Sequence, residues 1–342
     1  MHFQRHGRQF FFFTFCVEKR LPVLSRLCKG RGSPELHGGG DDRAHTKLLP
    51  PGEAVLDFLK AQHARNPALV ASNRVVMPDH VHFLLIVDFD RDPAFQPLSF
   101  AHRFMEETSV MASTGGAVGP VPRPLQPSTS SLWSPSYWVA LSLSSRQLAA
   151  IRRYIHLNPA RALWKAEHPD RFVRQTGFRH PILDPALPWS ACGDLTLLSS
   201  PFLFPVRLTR RLPIEAQEPA IAEAMDRARS GMIPVCGFLS PAEKELQTRL
   251  RAEPRVRWIK MVPSGLPPRF DPSAEDSRHL AAGRLLILSS FPPEIPLTPI
   301  SRENCELMNS RILHLCGTAA TPINTSGARG PCPPSLARKA TP

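Results

Sequence analysis

The run VVMPDHVHFLLIV, residues 75–87, constrains this chain more than any other stretch. Pro78 and Asp79 supply a tight turn, because proline presets one backbone angle and aspartate bonds to nearby backbone. A strand ending at Met77 and another from His80 to Val87 therefore form a hairpin. Alternate side chains on a strand share a face, so His80 and His82 lie side by side while Val81 points away.

Periodicity places the elements around this hairpin. FFFFTFCVE, from Phe10 to Glu18, is aromatic and apolar enough for a buried strand. The Gly, Pro and charge-rich run from Lys29 to Gly52 reads as a loop, and apolar spacing in residues 52–65 predicts a helix. A second helix spans Leu98 to Ser113, followed by the Pro, Gly and Ser-rich connector TGGAVGPVPRPLQPSTSS. SYWVALSLS then reads as a strand, and SSRQLAAIRRYIHLN as a helix capped by Ser144 or Ser145 and ended by Pro159. The order strand, helix, strand, strand, helix, strand, helix predicts a ferredoxin-like α+β domain, an antiparallel sheet with helices packed against it.

That domain is expected to close near residue 180, within the roughly 100 to 200 residues of a typical domain. Residues 181–230 read as a Pro-rich and then helical bridge. Residues 231–316 read as a smaller α/β Rossmann-like domain with PVCGFLS, VRWIKMV and RLLILSS as short buried strands. The stretch 317–342 has too little apolar content to fold and is expected to be disordered.

Charge narrows the partners. Lys and Arg number 42 against 29 Asp and Glu, a formal net charge of +13, which favours a polyanion and nucleic acid before a membrane surface. Arg146, Arg152, Arg153, Arg161, Lys165, Arg171, Arg174 and Arg179 crowd one stretch that holds only Glu167 and Asp170 as acids. This is a phosphate-backbone footprint or a solvated helix face. The seven cysteines are scattered without zinc-ligand spacing, as in reduced thiols, and no segment approaches the roughly 20 apolar residues of a membrane span. A cytoplasmic protein, nucleoid-associated when bound to DNA, is expected.

Two imidazoles on one strand face suit a single divalent ion, but taken alone they read more readily as two hydrogen-bonded histidines on a half-polar sheet. Tyr154 and Asn158 are four apart on the predicted helix and share a face, so a phenol can lie beside a carboxamide. Taken singly, they read as a half-buried core tyrosine and a helix-end asparagine.

PDHVHFLL at 78–85, RRYIHLNPARAL at 152–163 and LWSPSYW between them closely resemble the REP-associated tyrosine transposases, relatives of the insertion-sequence-200-like single-tyrosine transposases. The resemblance covers roughly residues 8 to 180. It implies that His80, His82 and Asn158 bind Mg²⁺ or Mn²⁺ and that Tyr154 is the nucleophile. The basic stretch offers Arg146, Arg152, Arg153, Arg161 and Lys165 as DNA contacts and Trp138 as a stacking surface, with single-stranded or hairpin DNA as the expected substrate. A homodimer is an open option. Val139, Ala140 and Leu141 depart from the polar residues the family often has after its Tyr-Trp pair, and Glu106 and Glu107 stand where basic residues would help a DNA contact. Tyr137 is the rival nucleophile, and Asp79 reads as a turn residue.

The implied activity is metal-dependent DNA nicking and strand transfer through a 5′-phosphotyrosine; the alternative is a non-catalytic DNA-binding descendant of a transposase. Residues 283–313, GRLLILSSFPPEIPLTPISRENCELMNSRIL, look distantly like the core of the DNA processing protein A family. An ordinary α/β domain that packs or dimerises is the preferred reading there, because that stretch has no Gly-rich phosphate fingerprint.

Overall fold

A computed structural model describes residues 6–29, 44–114, 131–142, 144–210, 212–296, 299–317 and 323–324. The chain divides into two units, 1–167 and 168–342. Among the described residues no helix is long and apolar enough to cross a membrane.

The first unit carries β1 (Arg8–Val17), β2 (Ser25–Cys28), β3 (His45–Leu48), α1 (Pro50–Arg65), β4 (Leu69–Val76) and β5 (His80–Asp88). It continues with α2 (Pro97–Ser113), β6 (Trp133–Ser142) and α3 (Ser145–Glu167). Its main sheet has the order β4-β5-β1-β6, antiparallel throughout. The expected 29–52 loop is in part regular structure: His45–Leu48 form β3, which pairs with β2 in a separate ribbon, and α1 begins at Pro50. Most of the expected connector between α2 and β6 lies outside the described residues.

The phenylalanine run builds both faces of this sheet. Phe11, Phe13 and Phe15 join Phe58, Phe83 and Phe104, so α1 and α2 cover one face. The ring of Phe15 lies 4.2 Å from Phe104 and that of Phe13 5.2 Å from Phe83. Burying each such ring contributes about 1.5–3 kcal/mol. Phe12, one residue out of phase, packs with Leu84 and Ile155 on the other face, where α3 lies. Ser144 caps α3 by accepting from the Gln147 backbone N–H at 3.2 Å.

Pro159 does not end α3, which runs through it to Glu167. Proline inside a helix removes one backbone donor and costs about 3 kcal/mol. Here Ile155 and the continuous run Asn158, Pro159, Ala160 and Arg161 are all buried, and that packing outweighs the lost bond.

The second unit begins with α4 (Pro169–Phe172), β7 (Gln175–Thr176), β8 (Ser190–Gly193) and β9 (Leu203–Arg207). Alternating elements follow: α5 (Ile214–Arg229), β10 (Ile233–Cys236), α6 (Pro241–Ala252), β11 (Trp258–Met261), α7 (Ala274–Ala281), β12 (Leu285–Ser289), α8 (Arg302–Cys316) and β13 (Ile323–Asn324). The sheet order is β13-β9-β10-β11-β12-β8-β7. Strands β9 to β12 are parallel, β13 joins β9 in parallel, and β8 and β7 extend the far edge antiparallel.

Residues 181–230 are therefore not a bridge: they supply strands β8 and β9 and helix α5 to the second unit, and the boundary falls at 167/168 rather than near 180. Pro-rich loops disguised strands of only four and five residues. The expected disordered stretch 317–342 lies outside the described residues, apart from Gly317 and the short β13.

Candidate active site

The register of the first sheet sets up one row of side chains. Val75 pairs with His82, His82 with Thr14, and Thr14 with Trp138, across β4, β5, β1 and β6. This row lies on the face that carries Phe12 and α3, since odd-numbered Phe11, Phe13 and Phe15 point the other way.

His82 is 5% exposed and sits at the centre. Its Nδ1 is 2.8 Å from Thr14 Oγ1, and its Nε2 is 3.5 Å from the Tyr154 hydroxyl. Burial, followed by the charges of His80, Arg20 and Arg161, pushes its pKa down to about 3. The ring is thus neutral near pH 7, and in the tautomer with the proton on Nδ1 it donates to Thr14 while Nε2 presents a lone pair. The His80 ring lies 4.6 Å from that of His82.

Asp79 is more than the turn residue it was expected to be. Its carboxylate lies 2.6 Å from His80 Nδ1 and 3.1 Å from Arg20 Nε. Burial pulls that carboxyl upward, but the bond to His80 and the charges of His80 and Arg20 outweigh it and hold it below its ordinary value. Its backbone carbonyl also ties the turn to the end of β1, accepting from the Val17 N–H at 2.9 Å.

Helix α3 brings the phenol to the histidines. The Tyr154 ring lies 5.2 Å from His82, and Phe12 stands beneath both rings, 5.4 Å from His82 and 6.2 Å from Tyr154. Asn158, one turn further, is 7% exposed, and its carboxamide has no hydrogen-bond partner among the described residues. Arg161 was expected on a DNA-facing surface. It is instead 5% exposed, with its guanidinium carbon 5.1 Å from the centre of the Tyr154 ring, because it shares the buried face of α3.

The remaining basic residues separate. Arg146, Arg152 and Arg153 are exposed on α3 and Lys165 is half-buried. Arg171, Arg174 and Arg179 belong to the second unit, where Arg171 donates to the Ala281 carbonyl, so the basic stretch divides between the two units. Trp138 is 55% exposed and meets Phe12 edge-on at 5.6 Å. Trp133 is core, its indole N–H donating to Thr108 at 2.8 Å. Tyr137 stacks on Phe15 at 5.5 Å, on the opposite sheet face from the histidines.

The donor set fits a divalent ion. Metal-binding histidines usually hold a second partner on the other ring nitrogen, and His80 and His82 have Asp79 and Thr14 in that place. Among the described residues no three His, Cys, Asp or Glu side chains gather to hold a metal, and the Asn158 carboxamide is the third donor that the family resemblance implies. Two imidazoles suit Mn²⁺ better than Mg²⁺, a harder ion that prefers oxygen. Thr14, Phe12 and the Asp79 side chain are the residues sequence reasoning missed; only strand register reveals Thr14.

No family model matches the chain, and no curated protein matches it. Solved structures give looser likenesses. DNA processing protein A from Helicobacter pylori, described for its single-stranded DNA binding mode, is 22% identical over 43% of this chain and 67% of that one, with a TM-score of 0.33. A candidate transposase from Deinococcus radiodurans is 20% identical over 44% of this chain and 91% of that one, with a TM-score of 0.28. DNA processing protein A from Streptococcus pneumoniae is 16% identical over 49% of this chain and 59% of that one, with a TM-score of 0.33. Superpositions this loose assign neither family nor activity.

Proposed function

We propose that the first unit, on a ferredoxin-like scaffold, is a metal-assisted single-stranded DNA endonuclease and strand transferase of the REP-associated tyrosine transposase type. The observation that carries this reading is the Tyr154 hydroxyl 3.5 Å from His82 Nε2, with the His80 ring 4.6 Å from that of His82. In this reading His80, His82 and Asn158 hold Mn²⁺ or Mg²⁺. The bound ion would polarise the scissile phosphate and offset charge on the departing oxygen.

The chain's own residues do the rest. Tyr154 loses its proton to water and attacks phosphorus, the bond to the 3′ oxygen breaks, and the 5′ end stays on the protein as phosphotyrosine. A free 3′-OH reverses the step, which gives strand transfer without another energy source. Arg161, fixed over the Tyr154 ring, places positive charge where the phosphoryl group gathers negative charge. Phe12 holds the His82 and Tyr154 rings at fixed spacing, and Arg146, Arg152, Arg153 and Lys165 serve the DNA backbone from α3. Trp138 offers an aromatic face to an unpaired base.

A fluorescent hairpin oligonucleotide with single-stranded flanks, incubated with Mn²⁺, tests the reading. Cleavage with a new 3′-OH and a detergent-stable protein–DNA species is expected, and both disappear in Tyr154→Phe. The paired variant His80→Ala, His82→Ala loses Mn²⁺ binding by calorimetry. Cleavage that survives in Tyr154→Phe would sink the proposal. Mn²⁺ supports the reaction at lower concentration than Mg²⁺ if the two imidazoles are ligands; the opposite order would remove them from the ion.

A further inference from the structure

The parallel strands β9 to β12 follow one another in chain order, so their carboxyl ends share one edge of the second sheet. Two connections leave this sheet on opposite faces. Helix α5 follows β9 and sets Arg227 over Phe204 at 5.8 Å, whereas α8 buries Met308, Ile312 and Leu315 in the cluster that holds Leu203, the neighbour of Phe204 on β9. Because α8 leads from β12 back across to β13 beside β9, the chain reverses its direction of travel at β9. In open α/β sheets, such a reversal leaves a crevice at the carboxyl ends of the strands, and ligands bind there.

A cleft of about 500 Å³ lies at that place, walled by the segment after β9, the turn into α6 and the start of α8. Four cations line it: Arg207, Arg210, Lys244 and Arg302. Arg302 pairs with Glu306, but the side chains of Arg207, Arg210 and Lys244 have no hydrogen bond or ion pair within contact distance among the described residues, and Arg207 acts on Glu243 only through its charge at longer range. The one acid in the lining, Glu243, is committed elsewhere. Its carboxylate accepts from the backbone N–H groups of Leu208, Leu239 and Ser240 at 3.1, 2.8 and 3.2 Å, tying the two strand-end loops together. The floor is thereby fixed in place, and Glu243 forms no ion pair with the three cations.

We propose that this cleft binds a small phosphorylated ligand of nucleotide size with at least two negative charges. Its volume falls within the roughly 300–1,000 Å³ of small-molecule sites. Leu239 and Ile300 supply an apolar wall beside the cations, which suits the base or sugar of a nucleotide. A polymeric single strand fits less well, because such strands are held by aromatic platforms and the lining contains no aromatic side chain. This inference does not depend on the reading of Tyr154.

Calorimetric titration of the full chain with AMP, ADP, ATP, inorganic pyrophosphate and an oligothymidylate tests it. Saturable binding is expected, at least tenfold tighter for ADP than for AMP, and unchanged in Tyr154→Phe. The double variant Arg207→Ala, Arg210→Ala weakens ADP binding at least tenfold, and Lys244→Ala, a single exposed change, weakens it severalfold with an unaltered melting temperature. No saturable binding of any of the four small probes would overturn the proposal. So would equal binding by the folded variants, or binding of the oligonucleotide alone.

Discussion

Thr14 and Asp79 each fix one histidine of the candidate site, and each does so through Nδ1. Replacing Thr14 with valine keeps the shape and removes the bond to His82. Mn²⁺ affinity should fall 10- to 100-fold by calorimetry, the usual effect of losing such a partner, with Thr14→Ser retaining most of it. An unchanged affinity in Thr14→Val would mean that Thr14 does not orient the ring. The histidine pair was readable in the sequence because strand parity is a local property of three residues. Thr14 lies 68 positions from His82, and only the pairing of β1 with β5 brings them together. Buried histidine also carries a stability consequence, clearest at His279 in the second unit, whose ring lies 4.9 Å from Trp258. Burial, then the charges of Arg284, Arg251 and Arg278, lowers its pKa to about 3. The unfolded chain binds a proton there near pH 6.5, so stability from this residue is complete above that value and is lost as pH falls toward 3. Urea unfolding at pH 7.5 and 4.5 should show a smaller acid-induced loss in His279→Gln than in the native chain; an equal loss would contradict the assignment.

Strand β5 divides two jobs between its faces. Phe83 is fully buried against Phe13 and Phe104, so Phe83→Ala should destabilise the first unit by about 3–5 kcal/mol in urea unfolding. Trp138, on the other face of the sheet and 55% exposed, should tolerate alanine within about 0.5 kcal/mol while single-stranded DNA binding weakens. Comparable stability losses in the two variants would mean that Trp138 is part of the core. The hairpin around Pro78 and Asp79, helices α1 and α2 and the strand β6 all follow from period and turn chemistry in the sequence. The path of α3 through Pro159 did not, because a local rule ends helices at proline and only the buried run from Asn158 to Arg161 shows what opposes it. The same tertiary packing hid Arg161, which reads as a surface cation until Tyr154 is seen beneath it.

Across the whole molecule, a net charge of +13 draws polyanions without choosing among them. In the proposed reading, the exposed residues Arg146, Arg152 and Arg153, with Lys165, would give α3 about four phosphate contacts. The logarithm of single-stranded DNA affinity should then fall against the logarithm of salt with a slope of roughly −3. Arg152→Ala with Arg153→Ala should flatten that slope by about half, and an unchanged slope would move the DNA elsewhere. The second unit was harder to read from sequence, since its four- and five-residue strands sit among prolines and its sheet draws on residues assigned to a bridge. The activity proposed for the first unit rests on Tyr154. Its sequence makes the decisive measurement simple, because Tyr137 and Tyr154 are the only tyrosines. After reaction with a single-stranded hairpin and Mn²⁺, nuclease trimming and mass spectrometry of the tryptic peptides should find the nucleotide adduct on Tyr154. An adduct on Tyr137, or strand cleavage with no adduct on either tyrosine, would contradict the account.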